Sequence, residues 1–501
     1  MSTDYDVAIV GCGPVGATVA ALLGQAGMRV VAIERETEIY HLPRAVVFDD
    51  EIVRMYQKLG IAEGIADQSS PMRGFRYENH AGEVLLSWVP KTLTTRQGWA
   101  HSHMFHQPDV EGLIRQRMAE LPTVELLSGA EVESITQDDD AVTVSIRTLE
   151  TDSAQQLTAS YAIGCDGGNS MVRPAIGAEF ETLGPSEDWV VIDGVTVGDP
   201  WPDGPMVGYC WPEQPHMFLR MGHPRLRWEF MLMPGTDREI ANTPEGAYEL
   251  IERFGGPDRI EIARSAVYRF LSLLADSWRD RRIFLAGDAA HMQPPLRAQG
   301  LCSGIRDAVN LSWKLAAVWR GDASDALLDT YEAERRPHSE GWVRIAMGMA
   351  QVITTTDPEV AAARDKAMLA NPIEVQDDSP SLGPGLQDEQ GAPANRLSAQ
   401  GLLEDGTRLD DITKERFLVA MTPEVAASMS EADRDVLADD NWFHVLEPDS
   451  VISQQVLAAN DADGAVVVRP DRYVLGVASD AAGLGELLAK WTRFLLSSAP
   501  A

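Results

Sequence analysis

The apolar positions near the start of the chain predict a strand, a tight turn, a helix and a second strand. The run Val7–Val10 is a candidate buried strand, and the glycine-rich stretch GCGPVG follows it. A helix is predicted from about Pro14 to Gln25, because proline suits the first helical turn and Gly27 ends the apolar pattern. The run RVVAIE, which ends at Glu34, is the second candidate strand. The pattern is typical of a βαβ unit in a parallel sheet.

The glycines of this turn have the spacing of a dinucleotide-binding site. Gly11, Gly13 and Gly16 fit G-x-G-x-x-G: the first permits the tight turn, the second lets backbone approach a pyrophosphate, and the third lets helix and strand pack closely. The N-terminus of the predicted helix offers unpaired N–H groups and a partial positive charge to the phosphates. Glu34 lies 18 residues after Gly16, near the place of an acid that binds a ribose hydroxyl. The unit predicts dinucleotide binding but does not distinguish FAD from a nicotinamide cofactor.

Two later stretches also have a strand, a turn and a helix start. YAIGCDGGNSMVR contains an Asp-Gly turn at Asp166, although Asp-Gly is a common turn in any protein. In Arg281–Leu315 a buried strand, IFLAG, ends at Gly287 and Asp288, and a loop with two prolines leads into a helix from about Ile305. Only one nucleotide fingerprint is present, so a permanently bound FAD would leave a nicotinamide reductant to bind transiently at another surface.

In these stretches the sequence resembles the FAD-dependent aromatic hydroxylases, which are single-component flavoprotein monooxygenases. GCGPVG with Glu34, GCDGGNS and GDAAHMQPPLRAQGLCSGIRD occur in the order typical of that family. Within it, the chain looks most like the 3-(3-hydroxyphenyl)propionate hydroxylases, through PRAVVFDDE, HQPDVEGLI, DALLDTYEAERRPH and VVVRPDRYV. The resemblance covers nearly the whole chain. It leaves the substrate open, because this subfamily also contains hydroxylases of other phenols and of polyketides.

The resemblance implies an α/β fold with an added β domain. We expect a Rossmann-like FAD-binding domain of the glutathione-reductase type, an interleaved β-sheet substrate-binding domain and a C-terminal thioredoxin-like domain. The last has no cysteine, which excludes thiol redox chemistry there. The expected boundaries are 1–75, 98–179 and 273–350 for the FAD-binding domain, 76–97 and 180–272 for the substrate-binding sheet, 351–399 for a linker or lid, and 400–501 for the C-terminal domain.

The resemblance also implies which residues bind FAD. Asp288 would bond to the ribityl chain, and Gly287 would let the cofactor pass close. Arg44 and Gln107 would contact the ribose or ribityl region, while Asp166 would support both the FAD site and NAD(P)H engagement. The full expected set is Gly11, Gly13, Pro14, Val15, Gly16, Glu34, Arg35, Arg44, Gln107, Asp166, Gly287, Asp288, Pro295, Gly300, Leu301 and Cys302.

The family's reaction is the expected activity. NADPH or NADH would reduce a tightly but non-covalently bound FAD, and oxygen would form a flavin C4a-hydroperoxide that hydroxylates a phenolic ring. The loop Pro294–Gly304 can point backbone N–H groups and a helix dipole at the negative charge of reduced flavin, and the site must exclude water. The alternatives are a polyketide-tailoring or Baeyer–Villiger flavin oxygenase, an oxygen-independent flavoprotein dehydrogenase, and a non-catalytic nucleotide-binding protein.

The loop after Asp288 departs from the family pattern. Leu296, Ala298 and Cys302 stand where many relatives have an aromatic residue, glycine and asparagine. Arg297 is also unusual, and we expect it to face the pocket and hold an anionic substrate group; contact with solvent or with the FAD phosphate is the alternative. No catalytic residue is assigned, and the pocket candidates are Arg297, Tyr209 and His216, with His101, His103 and His106 as further bases by residue type alone.

Composition narrows the range of partners. The 501 residues are too many for one core, and the formal net charge of −34 disfavours nucleic acid and anionic membranes. The four cysteines show no C-x-x-C spacing, so neither a metal site nor a disulfide framework is expected. No signal-peptide pattern precedes the first strand and no apolar run would span a membrane, so we expect a cytoplasmic protein. The expected partners are a small aromatic substrate and O2, with a homodimer as the candidate assembly.

Overall fold

Two large sheets and three small ones organise the part of the chain that the structure describes. The structure, a computed structural model, describes residues 3–222, 224–371, 373–375, 379–388 and 393–496. Among these residues, no helix combines the length and the apolar character that crossing a bilayer requires.

The first large sheet has a parallel centre made of apolar strands. Parallel strands are covered on both faces, which is why consecutive residues such as Val7, Ala8 and Ile9 are all fully buried. A ribbon of two further strands, Val142–Thr148 and Ala130–Gln137, extends one end of Ser153–Gly164 in antiparallel pairing. The strand order is Arg279–Asp280, Ile283–Leu285, Ser153–Gly164, Tyr5–Val10, Val30–Glu34 and Val124–Ser128.

The second large sheet is mainly antiparallel, and its two faces differ. Successive side chains of a strand point to opposite faces. In the strand Arg225–Met231, Leu226, Trp228 and Phe230 pack into an apolar cluster on one face, so Arg227 and Glu229 lie on the other. The strand order is Ile260–Phe270, Glu187–Thr196, Arg225–Met231, His216–Arg220, Met206–Tyr209, Phe75–Glu78, Val84–Trp88 and Ile373–Glu374.

Two three-stranded sheets connect these layers. The first contains Val47–Asp49, Ser102–Phe105 and Ser69–Pro71, and the second contains Phe180–Thr182, Leu273–Ala275 and His291–Met292.

Helices cover the first sheet and link the domains, and five of them have a proline in the first turn, where its missing N–H costs nothing. The α-helices are Pro14–Gln25, Asp50–Tyr56, Ala62–Asp67, Gln107–Ala119, Val172–Ala175, Arg238–Ala241, Pro244–Ile251, Gly300–Trp319, Ala326–Ile353, Pro358–Ala370, Leu409–Thr413, Pro423–Ser428, Glu431–Leu437, Val451–Ala459 and Ala481–Thr492. Single 3₁₀ turns are Gln57–Leu59, Glu252–Phe254, Gly287–Ala289 and Pro295–Arg297.

The C-terminal part of the chain forms its own four-stranded sheet. Its strand order is Phe443–Val445, Phe417–Met421, Ala465–Val468 and Val474–Ala478, in which the first pair is parallel and the other two pairs are antiparallel. Trp491, which is fully buried, packs on this sheet from the last helix.

Buried ion pairs join this C-terminal part to the rest of the chain, and we call them the ionic seam. Arg54 Nε donates to Asp410 Oδ2 over 2.6 Å. The carboxylate of Glu334 accepts from Lys314 Nζ and from Arg469 Nη2, each at 2.6 Å. All five residues are almost completely buried, so each charge depends on its partner across the seam.

The segment predicted as a linker or lid is partly helical. Within 351–399 the structure has the end of the helix Ala326–Ile353, the helix Pro358–Ala370 and the edge strand Ile373–Glu374, which pairs with Val84–Trp88 of the second sheet. Part of that predicted segment, 372, 376–378 and 389–392, lies outside the described residues.

Candidate functional site

A cavity of about 850 Å³ lies where the first sheet, the second sheet and the loops between them meet. One side is formed by the start of the helix Pro14–Gln25 and the loop after Ala286, and the other by Val191, Met217 and Leu219 of the second sheet. Nine of the predicted site residues line it: Pro14, Val15, Arg44, Gln107, Asp288, Pro295, Arg297, Gly300 and Leu301.

The three glycines of the first turn have different steric surroundings. Gly11 has a φ of +88°, and a Cβ there would lie 2.6 Å from the carbonyl oxygen of Cys165. A Cβ on Gly16 would collide with the carbonyl oxygen of Gly11. By contrast, a Cβ on Gly13 would meet nothing within 4 Å. The chain itself requires the first and third glycines, while the second borders open space for a ligand.

The helix that starts at this turn presents its N–H groups to that space. Its N-cap, Gly13, contributes no side-chain hydrogen bond, and the first turn carries no acidic residue. Glu34 at the end of the second strand accepts from the Cys12 N–H at 2.7 Å and from the Glu36 N–H at 3.0 Å. The exposed Arg35 pairs with Glu36. The turn therefore offers an unneutralised helix end, as phosphate binding requires.

Two predicted aspartates have carboxyl oxygens available to a ligand. Asp166 Oδ2 accepts from Met171 N at 2.7 Å, while its buried Oδ1 finds no hydrogen-bond partner among the described residues. The carboxyl of Asp288 is open to the cavity but enclosed by surrounding protein, and this desolvation raises its pKa despite the opposing effect of His291 and Arg44. A group with hydroxyls, such as a ribityl chain, fits such acceptors.

The loop that carries Arg44 is held from two sides. Gln107 Oε1 accepts from the Arg44 N–H at 3.1 Å and from the Ala45 N–H at 2.9 Å. Arg227 of the second sheet donates to the carbonyl of Arg44 at 2.9 Å and to that of Pro43 at 2.7 Å. The second sheet thus fixes the loop beside the cavity.

The loop after Asp288 is tied to distant residues. Gln299 Nε2 donates to Asp49 Oδ2 at 3.0 Å, and Gln299 Oε1 accepts from Arg306 Nη1 at 2.8 Å. The helix that follows begins at Gly300, earlier than the predicted Ile305, and no side chain caps it. Its first N–H groups can therefore face the cavity.

Behind this loop, Arg306 is the centre of a buried cluster. Its guanidinium contacts Asp49 at 2.5 Å and Glu51 at 2.6 Å, and Tyr473 Oη donates to Glu51 Oε1 at 2.8 Å. Although burial opposes the charge, Arg306 keeps the pKa of Asp49 below its usual value. The cluster connects the cavity loop to the C-terminal part of the chain.

Cys302, which is expected to contact FAD, lies behind the cavity rather than on its surface. It is fully buried, and its Sγ donates to the carbonyl of Ala298 at 3.4 Å. Burial raises the pKa of its thiol. The reason is the helical register: Gly300 and Leu301 reach the cavity, and the next residue turns inward. Gly11, Gly13, Gly16, Glu34, Arg35, Asp166 and Gly287 also do not line the cavity, although most flank it.

One end of the cavity is apolar, with Met72, Phe75 and Leu296 beside the sheet residues named above. The guanidinium of Arg297 lies 5.7 Å from the ring centroid of Phe75 and borders the cavity. An apolar wall with few polar groups is typical of a site for a small aromatic molecule.

Asp50 also lines the cavity, and its acidity is perturbed. Burial and the neighbouring Asp49 raise the pKa of Asp50 to about 7, while its hydrogen bond from Thr95 Oγ1, at 2.5 Å, acts in the opposite direction. Asp50 and Glu229, a second acid of the cavity wall, were missed in the sequence. The signal available for Glu229 was its place among the charged positions that alternate with apolar ones in RLRWEFM, which puts it on the face opposite Leu226, Trp228 and Phe230.

Tyr209 and His216 do not line the cavity, which corrects their expected position. Met217 and Leu219 face it, so alternation directs His216 to the opposite face of the sheet. There its ring stacks on Tyr209 at 4.5 Å between centroids. Burial and Arg253 lower the pKa of His216 to about 3, so it remains neutral near pH 7.

The other candidate histidines differ in position. His101 lines the cavity, and its Nδ1 lies 2.9 Å from Ser102 Oγ. His103 is buried against Phe48, and this burial lowers its pKa to about 4. His106 lies beside Asp109, away from the cavity lining. Within the described ranges, no group of three or more His, Cys, Asp or Glu residues could hold a metal ion.

The chain is similar to known proteins over most of its length. Residues 4–346 match a family described as FAD binding domain. A probable NADH-specific resorcinol 4-hydroxylase of Rhodococcus jostii is 38% identical over 500 residues, which cover 96% of this chain and 93% of that one. A 3-(3-hydroxy-phenyl)propionate/3-hydroxycinnamic acid hydroxylase of Mycolicibacterium smegmatis is 39% identical over 72% of this chain, and the match spans 63% of that protein.

Solved structures share the fold. The flavin-dependent monooxygenase PieE in complex with FAD and substrate matches 98% of this chain and 99% of its own with a TM-score of 0.80, at 21% identity. OxyS anhydrotetracycline hydroxylase from Streptomyces rimosus matches 99% of this chain and all of its own with a TM-score of 0.76, at 26% identity.

Proposed function

The chain belongs to the family with this FAD-binding domain, and from this premise we propose that it hydroxylates a small phenol with a second substituent meta to its hydroxyl. The predictions of an FAD-dependent aromatic-ring monooxygenase, with FAD as cofactor and a nicotinamide reductant, are confirmed. The relatives described above are named for resorcinol and for 3-(3-hydroxyphenyl)propionate, both of which are meta-substituted phenols.

One observation carries the proposal: a single cavity runs from the dinucleotide turn at Pro14 and Val15 to the apolar wall at Phe75 and Met217. A cofactor anchored at the turn can therefore place its reactive end beside an aromatic ring on the wall. The open space at Gly13 and the Oδ1 of Asp166, which is unpaired among the described residues, fit the diphosphate and hydroxyl groups of FAD.

When bound, FAD supplies hydride acceptance and the transfer of one oxygen atom. The residues proposed to hold it are those that border the cavity together with the glycine turn. The N–H groups at the start of the helix from Gly300 and the helix dipole stabilise negative charge on the flavin end. Asp288 accepts hydrogen bonds from hydroxyls of the cofactor.

The remaining wall residues orient the substrate and exclude water. Leu296 and Met217, both nearly fully buried, enclose the apolar end, which limits the loss of activated oxygen to solvent. Arg297 lies at the edge of this end and holds an anionic substituent if the substrate carries one. Replacing Arg297 with Ala should then reduce turnover of a carboxylated phenol more than that of an uncharged one; equal losses would remove this role.

The experiment that tests the function is a substrate panel with the FAD-loaded protein. Resorcinol, 3-(3-hydroxyphenyl)propionate and larger polyketide phenols are compared for stimulated oxidation of NADH and NADPH and for oxygen uptake. We expect a small meta-substituted phenol to gain one oxygen atom by mass. Reductant oxidation without any hydroxylated product would contradict the proposal, and a product from the polyketide phenols alone would favour a tailoring enzyme.

We further propose the predicted domain organisation, with a thioredoxin-like C-terminal domain over 400–501. The support is its strand order, with one parallel and two antiparallel pairs and helices between them. Because no cysteine occurs in it, thiol redox chemistry is excluded there. A homodimer in the cytoplasm and the use of O2 remain predictions; light scattering and oxygen uptake test the first and the last.

A further inference from the structure

Glu229 is an acid built into the apolar wall of the cavity. Its strand, Arg225–Met231, pairs it with Val191 on one side and Met217 on the other, and all three residues line the cavity. The residue is only 6% exposed. A carboxyl at this depth is unusual, because ionised groups are rarely buried without a partner.

The carboxyl of Glu229 receives no hydrogen bond from the described residues. The nearest cation, Arg227, has its Nη1 3.9 Å away, beyond hydrogen-bond distance. The donors of Arg227 are used elsewhere, on Asp193 and on the carbonyls of Pro43 and Arg44. A buried carboxyl without a hydrogen-bond donor is costly in free energy. Glu229 would therefore bind a hydrogen-bond donor of a ligand that enters the cavity.

Burial makes Glu229 a stronger base than an exposed glutamate. Burial raises its pKa, Arg227 on the same strand lowers it, and Asp193 on the next strand raises it. On the other side, Tyr77 faces the same region from the strand Phe75–Glu78. A carboxylate whose pKa is raised toward that of a phenol accepts a proton from it more readily.

We propose that Glu229 is a catalytic residue that accepts the proton of the substrate's phenolic hydroxyl. This rests on the proposed function. The phenol O–H bond breaks, an O–H bond forms on the Glu229 carboxylate, and the ring oxygen keeps the electron pair, which enriches the ortho and para carbons. After oxygen transfer, the hydrogen on the hydroxylated carbon leaves to water as a proton, and Glu229 returns its proton to the ring oxygen.

The test uses 4-nitrophenol, whose ionised form absorbs visible light and whose neutral form does not. It is titrated into the FAD-loaded protein at a series of pH values, as wild type and as Glu229→Gln. We expect the bound probe in wild type to show ionised character at lower pH than in the variant, by about one pH unit. If Glu229 were only a nearby negative charge, Glu229→Gln would make the probe ionise more easily, and that result would overturn the proposal.

Two controls separate this role from a structural one. Glu261→Gln makes the same change on the exposed side of a strand of the same sheet and should leave the titration unchanged. Asp50→Asn removes another cavity acid with a raised pKa. If this variant, and not Glu229→Gln, shifts the ionisation of the probe, Glu229 is not the acceptor.

Turnover gives a second readout. Glu229→Gln should lower kcat/KM for hydroxylation about 100-fold, with a smaller loss for phenols that are already ionised at the assay pH. An equal loss for all phenols would count against proton transfer. The probe titration needs no turnover, so it reports on Glu229 even if the wild type hydroxylates no phenol in the panel.

Discussion

Two backbone segments border the same cavity, and their conformations have different origins. The glycine-rich turn at residues 11–16 and the loop at residues 294–299 each lead into a helix whose first N–H groups have no side-chain cap. In the turn, glycines occupy the crowded positions, so the local sequence determines the shape. In the loop, Gln299 is held by Asp49, which lies 250 residues away in the chain, and by Arg306 of the helix that follows. The conformation of the glycine turn can be predicted from the sequence, whereas that of the loop depends on contacts that form only in the folded protein.

The loop also contains a residue with positive φ that is not glycine, whereas in the turn the residue with positive φ is Gly11. Ala298 has a φ of +56° and a ψ of 31°, which is the left-handed region that disfavours residues with a Cβ. The next residue, Gln299, is hydrogen-bonded to Asp49 and Arg306, and these bonds hold Ala298 in this conformation. The free-energy cost of the backbone strain at Ala298 is smaller than the cost of losing Arg306.

Removing Arg306, which holds the loop through Gln299 and Asp49, should have the largest effect on stability. Arg306→Met leaves Asp49 and Glu51 buried without their shared cation, so we expect the free energy of unfolding to fall by about 3–5 kcal/mol. Urea denaturation measures it. Arg344→Met, in an exposed pair with Glu340, is the matched control and should change stability by less than about 0.5 kcal/mol. A loss below 1 kcal/mol in Arg306→Met would show that the cluster does not support the loop.

Substitutions of two glycines in the turn should separate an effect on stability from an effect on FAD binding. Gly16→Ala forces its Cβ against the Gly11 carbonyl, so we expect a loss of about 2–3 kcal/mol of stability together with loss of FAD. Gly13→Ala borders open space in the protein, and it should cost less than about 1 kcal/mol while weakening FAD at least about tenfold. Denaturation of the apoprotein and FAD fluorescence titration measure the two effects. Equal destabilisation by both variants would contradict the distinction.

The smallest expected effect is a gain in stability. Ala298→Gly removes the left-handed strain of the loop, and we expect the melting temperature to rise in line with up to about 1 kcal/mol of added stability. Ala290→Gly, in the same region with ordinary negative φ, is the control and should destabilise. If Ala298→Gly also destabilises the protein, the loop conformation is not a source of strain.

The sequence predicted the βαβ unit and its glycines, and eight of the residues expected to bind the cofactor line the cavity. These features are encoded within short stretches, as for Gly11 and Gly16. The substrate side was not predictable in this way. Whether His216 or Met217 faces the cavity depends on the register of a strand within its sheet, and one residue of shift exchanges the faces. Glu229 and Asp50 became candidates only when that register and the packing of three loops were known.

The same reasoning applies to the start of the helix at Gly300. Its apolar periodicity was visible only from Ile305 onward, because Gly300, Ser303 and Gly304 interrupt the apolar pattern at the start of the helix. Cys302 was placed at the cofactor by resemblance, although its helical position turns it inward. Local pattern thus located the helix, and tertiary contacts decided which of its residues meet the cavity.

The ionic seam has a consequence for how the chain can be divided. Glu334 and Lys314 lie in helices that cover the first sheet, yet Arg469 comes from the last hundred residues. A chain cut after Ile353 would leave Arg54 without Asp410 and Glu334 with one cation fewer, in an interior that water does not reach. Shortened versions of this enzyme should therefore fail to mature, and exchanging its C-terminal part with that of a relative should succeed only if the acids and bases along the seam are exchanged with it.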